Sequence, residues 1–293
     1  MKNINFQLNK KGSGTLINFD IMKVLKGLFA FYINSSIHVA LAVVALLAIT
    51  VFEYGLNVPN ALWVFVFLGA LTGYNFVKYA KIAGLHHRSL TDSLKTIQIF
   101  SAVCCVALGI ITFQLSLSTV LIAAGFGMLT FFYAVPILKR RNLRRFSGIK
   151  IFVVATVWAG VTVIVPIIAS ETNFTVDLLL TFLQRVLVVI ALLLPFEIRD
   201  VRYDAQSLKT LPHQMGVRNT KLLGQGVLLL CLVFEFFKDH SEVSYIVSII
   251  IFCVVLGWFI VISKTEQTRY FASFWVEGLP IIWVLIFIFF EQL

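Results

Sequence analysis

The residues best suited to chemistry in this chain lie in one short stretch, Glu197-Ile-Arg-Asp-Val-Arg-Tyr-Asp204, directly after a long apolar run. It sets acids at i, i+3 and i+7. On a continuing helix those spacings bring Glu197, Asp200 and Asp204 round to one face. Three anions on one face repel each other and invite a cation. Hard divalent ions such as Mg2+ take carboxylate oxygens and commonly bridge to substrate phosphates, which makes these three the candidate metal ligands. The competing reading is a solvated loop whose acids are balanced by Arg199, Arg202 and Lys209.

Two further polar stretches could serve the same chemistry. In Gly73-Tyr-Asn-Phe-Val-Lys-Tyr-Ala-Lys-Ile-Ala-Gly-Leu-His-His-Arg88, the polar groups Asn75, Lys78 and Lys81 recur at helical spacing. Lys78 and Lys81 could hold a phosphate, although lysines that snorkel from a helix end have the same pattern. His86 and His87 are adjacent, hence on different faces, and lack the i, i+4 partner of a helical zinc site. In Tyr133-Ala-Val-Pro-Ile-Leu-Lys-Arg-Arg-Asn-Leu-Arg-Arg145, the proline ends or kinks the preceding segment. The basic run behind it suits anionic lipid headgroups or an anionic substrate.

The elements that must position these residues are membrane helices. Hydrophobic residues make up 59% of the 293 positions and the mean hydropathy is +0.94, more than a soluble core of this length can hide. Apolar runs near or above the ~18–20 residues needed to cross a bilayer recur at about 28–52, 60–78, 97–113, 118–138, 149–169, 178–196, 222–237, 244–262 and 271–290. The expectation is an all-α, polytopic membrane protein of about nine helices. Residues 1–27 form a cytoplasmic or interfacial lead-in and 28–293 one transmembrane domain. That lead-in is too long and polar for a cleaved signal.

The net charge of +10 does not point to nucleic acid, because of where the charge lies. With alternating spans, nearly every Lys and Arg falls in loops on one side, and Lys238 stands almost alone opposite. The positive-inside rule then puts the N-terminus inside, the C-terminus outside and the working face in the cytoplasm, as in a bacterial-type inner membrane. Cys104, Cys105, Cys231 and Cys253 sit in apolar runs without the spacing of a disulfide framework. Arg185 and Glu277 lie within spans, with Glu235 near the end of another. Such charges are costly in hydrocarbon and tend to pair inside the bundle, so Arg185 and Glu277 are candidates for one another.

These residues resemble the UbiA superfamily of intramembrane prenyltransferases. The second acidic motif of that family is matched by Asp200-Val-Arg-Tyr-Asp204, followed by Lys209-Thr-Leu-Pro212 and Gly216, with Glu197 where relatives often carry another acid. Tyr133-Ala-Val-Pro136 and its basic run are similar to a second family segment. The resemblance spans about residues 25–290. It implies an isoprenyl diphosphate donor, a hydrophobic or aromatic acceptor and Mg2+, with catalytic Asp200, Asp204 and Asn75. The diphosphate would meet Lys78, Lys81, Arg88, Arg202 and Lys209. The first acidic motif departs from the family: Asn75 matches, but Phe76, Tyr79 and Ala83 stand where aspartates would. Either Lys78, Lys81 and Arg88 substitute for one metal, or the fold has been kept without the reaction.

Three functions follow from these features. One is a divergent prenyltransferase. Another is a non-catalytic protein that binds an anionic or polyprenyl lipid, or a membrane partner, at the same face. The third, a small transporter, would show charged or broken helices at mid-membrane in repeated halves; polarity here gathers at one face instead.

Overall fold

Within lipid a backbone has no water to bond, so an apolar run folds as a helix that satisfies its own N–H and C=O groups. The computed structural model describes residues 13–83, 92–134, 149–202, 210–239 and 241–292, and all their regular structure is helical. In chain order the helices are α1 (Ser13–Asn34), α2 (Ile37–Glu53), α3 (Asn60–Ala83), α4 (Asp92–Thr112) and α5 (Leu117–Ala134). Then come α6 (Ile149–Ala159), a π-helical turn (Gly160–Ile164), α7 (Val165–Ala169), α8 (Val176–Asp200), α9 (Leu211–Glu235) and α10 (Val243–Ile262). A second π-helical turn (Phe271–Val276) leads into α11 (Leu279–Glu291).

Among the described residues seven helices are long and apolar enough to span a membrane, and α1 with α2 makes an eighth if that pair is one span bent by 55°. The shorter apolar helix Leu117–Phe132 covers the remaining expected run. The chain is an integral, multi-pass membrane protein. Its apolar surface fits: Ile99, Val103, Val106 and Ile110 of α4, and Leu121 and Met128 of α5, are all exposed. In water such faces would mark an interaction site; here they meet acyl chains.

The run 28–52, expected as one continuous helix, is broken at Ser35-Ser36. Ser36 takes a left-handed backbone (φ 64°, ψ 17°). A break costs unpaired backbone groups, and Asn75 of α3 repairs this one. Its Nδ2 donates to the Ser35 carbonyl at 2.9 Å and to Ser101 Oγ of α4 at 2.7 Å, while Ser36 Oγ donates to its Oδ1 at 2.7 Å. Irregular backbone at membrane depth survives when protein groups re-satisfy it in this way. In α9, Gly216 sits at φ 79°, ψ 157°, where an L side chain would be strained, and kinks the helix near its start.

The core is centred on α8, which packs against α6, α9 and α10. Val188, Val189, Ala191 and Leu194 of α8 join Leu46, Leu47 and Ile49 of α2, Leu256 and Ile260 of α10, and Trp283 and Phe287 of α11. Side-chain bonds sort the helix ends into two groups. One end gathers Glu53, Tyr54, Thr181 and Lys238. The other gathers Asn34 with Lys78 and Tyr79, Lys150 with Glu197, and Pro195 with Gln267. The second end holds the described edges of the three polar stretches singled out in the sequence.

Candidate functional site

At that second end α8 delivers Glu197, Arg199 and Asp200 on its last turn. Arg199 Nε donates to Asp200 Oδ1 at 2.8 Å, and its guanidinium lies 5.2 Å from the Phe196 ring centroid. Among the described residues Arg199 is the side chain that bonds Asp200, whose carboxylate stands part-exposed at the mouth. Glu197 turns elsewhere. It is buried, and Lys150 Nζ at the start of α6 donates to its Oε1 at 2.9 Å. The i, i+3 pair therefore splits by role: Asp200 faces the mouth and Glu197 ties α8 to α6. Among the described residues no three acidic, His or Cys side chains converge on a point a metal could occupy. Asp204, Lys209 and Arg88 lie outside the described residues, as does the Lys81 side chain. Arg202 meets Glu266 at 3.4 Å, with both side chains largely exposed.

The α3 face departs from expectation in an informative way. Asn75 is buried and committed to the α1–α2 break, with its amide nitrogen and oxygen both spent. Lys78 Nζ and Tyr79 Oη both donate to the carbonyl of Asn34, at 3.0 and 2.9 Å, and so cap the end of α1. A cation is also favoured there by the negative end of the helix dipole. Phe76 stacks on Phe131 of α5, with centroids 5.9 Å apart and planes at 15°. Two of the positions expected to carry aspartates thus serve packing and capping.

Deeper than Asp200 lies a group the sequence motifs did not single out. Tyr74, one turn below Lys78, accepts a hydrogen bond from Trp158 Nε1 of α6 at 2.8 Å. His38 Nε2 donates to the Phe274 carbonyl at 2.9 Å, so the neutral ring accepts the Tyr32 hydroxyl at Nδ1, 2.7 Å away. The His38 ring also stacks on Phe274, with centroids 4.9 Å apart. This chain joins α1, α2 and the second π-turn. Gly278 is required beside it, since a Cβ there would sit 2.8 Å from the Phe274 carbonyl and 3.1 Å from His38. Glu277 directly follows the π-turn, is half-buried, and lies near enough to Tyr32, Tyr74, Lys78 and Arg199 for its charge to be felt there. In-span charge was the available signal for Glu277; nothing in spacing reveals the tyrosines around it.

Arg185 does not meet Glu277. Its guanidinium donates to the Leu46 carbonyl and to Thr50 Oγ1, and lies 5.5 Å from the Trp283 ring. It belongs to the opposite end of the bundle. There Lys238, with no side-chain exposure, bridges Glu53 at 2.8 Å and Glu235 at 3.0 Å, and Gln184 donates to Glu235 at 2.9 Å. Burial, and then the Glu53 carboxylate, push the Tyr54 phenol well above its ordinary value, so it stays a donor to the Asp177 carbonyl. Among the described residues this is the bundle's densest ionic network, and it lies at the end away from the polar loops.

No sequence-family profile matches the chain, and no curated protein matches it in sequence. The fold has solved counterparts. A digeranylgeranylglyceryl phosphate synthase structure superposes over 92% of this chain and 100% of its own, with a TM-score of 0.56 at 14% identity. A UbiA homologue from Archaeoglobus fulgidus, bound to GPP and Mg2+, covers 89% of this chain and 100% of its own, with a TM-score of 0.57 at 9% identity. The same kind of homologue bound to DMAPP and Mg2+ gives 0.58 over 90% and 99%, at 9% identity. The chain has the UbiA-type fold.

Proposed function

We propose that this UbiA-fold chain is a divergent intramembrane prenyltransferase that moves an isoprenyl group from an isoprenyl diphosphate to an aromatic or lipidic acceptor. The observation that carries this reading is the placement of Asp200, Arg199 and Lys78 at one mouth of a bundle whose solved counterparts bind GPP or DMAPP with Mg2+. The charge asymmetry of the loops supports a cytoplasmic position for that mouth.

In the reaction the C1–O bond of the donor breaks and its electron pair leaves on the diphosphate. An allylic cation remains, and the acceptor's nucleophile bonds to it and then releases a proton. Catalysis rests on preorganised charge where the leaving group develops its own, in a site poor in water. Lys78, Arg199 and Arg202 supply positive charge at the mouth, with Lys81 from the end of α3 and Arg88 and Lys209 from the sequence beyond the helix ends. The part-exposed carboxylate of Asp200 fits a hard divalent cation such as Mg2+, with Asp204 as its companion; when bound, the ion would neutralise diphosphate charge. Glu197, held by Lys150, would instead fix the helix end that carries Asp200, and Asn75 would hold the break that shapes the mouth.

The test is release of labelled diphosphate from geranyl diphosphate by the purified chain in Mg2+. Asp200→Ala and Asp204→Ala should each lower the rate by about 100-fold or more, the scale on which loss of electrostatic stabilisation is felt. Unchanged rates in both would end the assignment. The use of Phe76 and Tyr79 for packing and capping supports a second reading, a non-catalytic binder of the same lipids. Geranyl diphosphate that binds in a Lys78-dependent way, and is never turned over, would establish it.

A further inference from the structure

Every other buried or half-buried carboxylate whose side chain is described has a partner. Glu53 and Glu235 hold Lys238, Glu197 holds Lys150, and Asp200 holds Arg199. Asp177 accepts the Asp239 N–H at 3.0 Å. Glu277 is the exception: among the described residues its carboxylate has no hydrogen bond and no ion pair. An ionisable group left unpaired at membrane depth is costly, which marks such residues as functional.

Its surroundings say what kind of function. Glu277 directly follows the second π-turn, within the helical segment Phe271–Glu291 that is long and apolar enough to span a membrane. Asp200, by contrast, ends its helix at the mouth. The cations near Glu277 are already engaged, Lys78 with the Asn34 carbonyl and Arg199 with Asp200. Tyr74 receives its hydrogen bond from Trp158, which leaves its own O–H to donate to another oxygen. A carboxylate free to accept and a phenol free to donate, both at the end of the bundle that carries Asp200 and Lys78, are the two groups a hydroxyl nucleophile needs.

We infer that Glu277 is the base for the acceptor. It takes the hydroxyl proton of an alcohol or phenol as that oxygen attacks the allylic cation, while Tyr74 orients the same oxygen. The inference rests on the prenyl-transfer reading and extends it to the acceptor, whose nucleophile would be a hydroxyl. The balance is complete. The donor C1–O bond breaks with its electrons on the diphosphate, an acceptor O–C1 bond forms, and the O–H proton passes to a Glu277 oxygen and later to water.

The experiment uses the full chain in lipid nanodiscs with geranyl diphosphate, Mg2+ and a series of ring-substituted phenols of increasing acidity. Diphosphate release and the ratio of geranyl aryl ether to geraniol are read together. Wild type should make ether from the whole series. Glu277→Gln should keep diphosphate release within about twofold but lose ether relative to geraniol by on the order of 100-fold, the usual contribution of a positioned base. The loss should be smallest for the most acidic phenol, which needs a base least, and Glu277→Asp should restore part of it. If Glu277→Gln misfolds, Glu277→Ala carries the same comparison.

An unchanged ether ratio in a folded Glu277→Gln protein would overturn the inference and leave the prenyltransferase reading standing. Loss of diphosphate release in step with ether would also overturn it, by moving Glu277 to donor ionisation. Diphosphate release by wild type without ether from any phenol would remove the hydroxyl acceptor. No diphosphate release from wild type would instead bring down the underlying reading.

Discussion

At the scale of single residues, the two ends of the bundle treat charge in opposite ways. The far end closes it off: Lys238 is enclosed between Glu53 and Glu235, and its ammonium lies 4.5 Å from the Tyr245 ring centroid. Whether such a network adds net stability is open to argument, but removing one partner is not. It leaves uncompensated charge, at a cost of about 3–5 kcal/mol. Lys238→Met should therefore lower the melting temperature in detergent sharply. Adding Glu53→Gln and Glu235→Gln should recover much of the loss. A Lys238→Met protein as stable as wild type would show that the network carries no such weight. The near end leaves charge available, and Asp200 and Glu277 are placed there, one at the end of α8 and one directly after the second π-turn.

Helices in this chain are interrupted where a neighbour can make good the missing backbone bonds. Asn75 does this at Ser35-Ser36 with two hydrogen bonds of its amide, while a third ties it to Ser101 of α4. Asn75→Ala would strand the Ser35 carbonyl and the Ser36 hydroxyl, each at about 1–3 kcal/mol when buried. The expected outcome is a destabilised protein with faster amide exchange around residues 33–37, read by hydrogen–deuterium exchange. Unaltered exchange there would mean the break stands without Asn75. The second π-turn is braced in another way, by His38 on the Phe274 carbonyl with Gly278 packed beneath it. Gly278→Ala should shift His38 and weaken that brace, which a falling melting temperature would report. Because Glu277 follows the turn directly, the same change should also disturb whatever chemistry Glu277 performs.

For the whole molecule, alternation of spans and the sorting of side-chain bonds into two ends agree with one another. Tyr54, Thr181 and Lys238 share one end; Asn34, Lys78, Lys150 and Glu197 share the other. The described edges of the basic loops lie with the second group, and the charge rule predicts that this side faces inward. Cysteine introduced at Thr172 should react with a membrane-impermeant maleimide from outside intact cells, and cysteine at Glu266 only after permeabilisation. The reverse pattern would invert the topology and move the proposed site to the outer face. Native Cys105, exposed on α4 toward lipid, should stay unlabelled by the charged reagent.

How much of this was legible beforehand depends on the range of the interaction. Apolar length is a local property, so each expected run coincides with a helix, and the motif Asp200-Val-Arg-Tyr-Asp204 could be read directly. The continuous reading of 28–52 failed because the amide that pays for its break comes from Asn75, about forty residues away. Helical spacing put Glu197 and Asp200 on one face; only the approach of Lys150 from α6 separated their roles. Both in-span charges were visible, yet composition could not say that Arg185 would be absorbed by Leu46 and Thr50 while Glu277 would remain unpaired. The sequence by itself determined which segments lie in lipid, since transfer from water is summed residue by residue. The tertiary structure alone decided which polar groups are spent and which stay available, because that depends on partners brought together across the bundle.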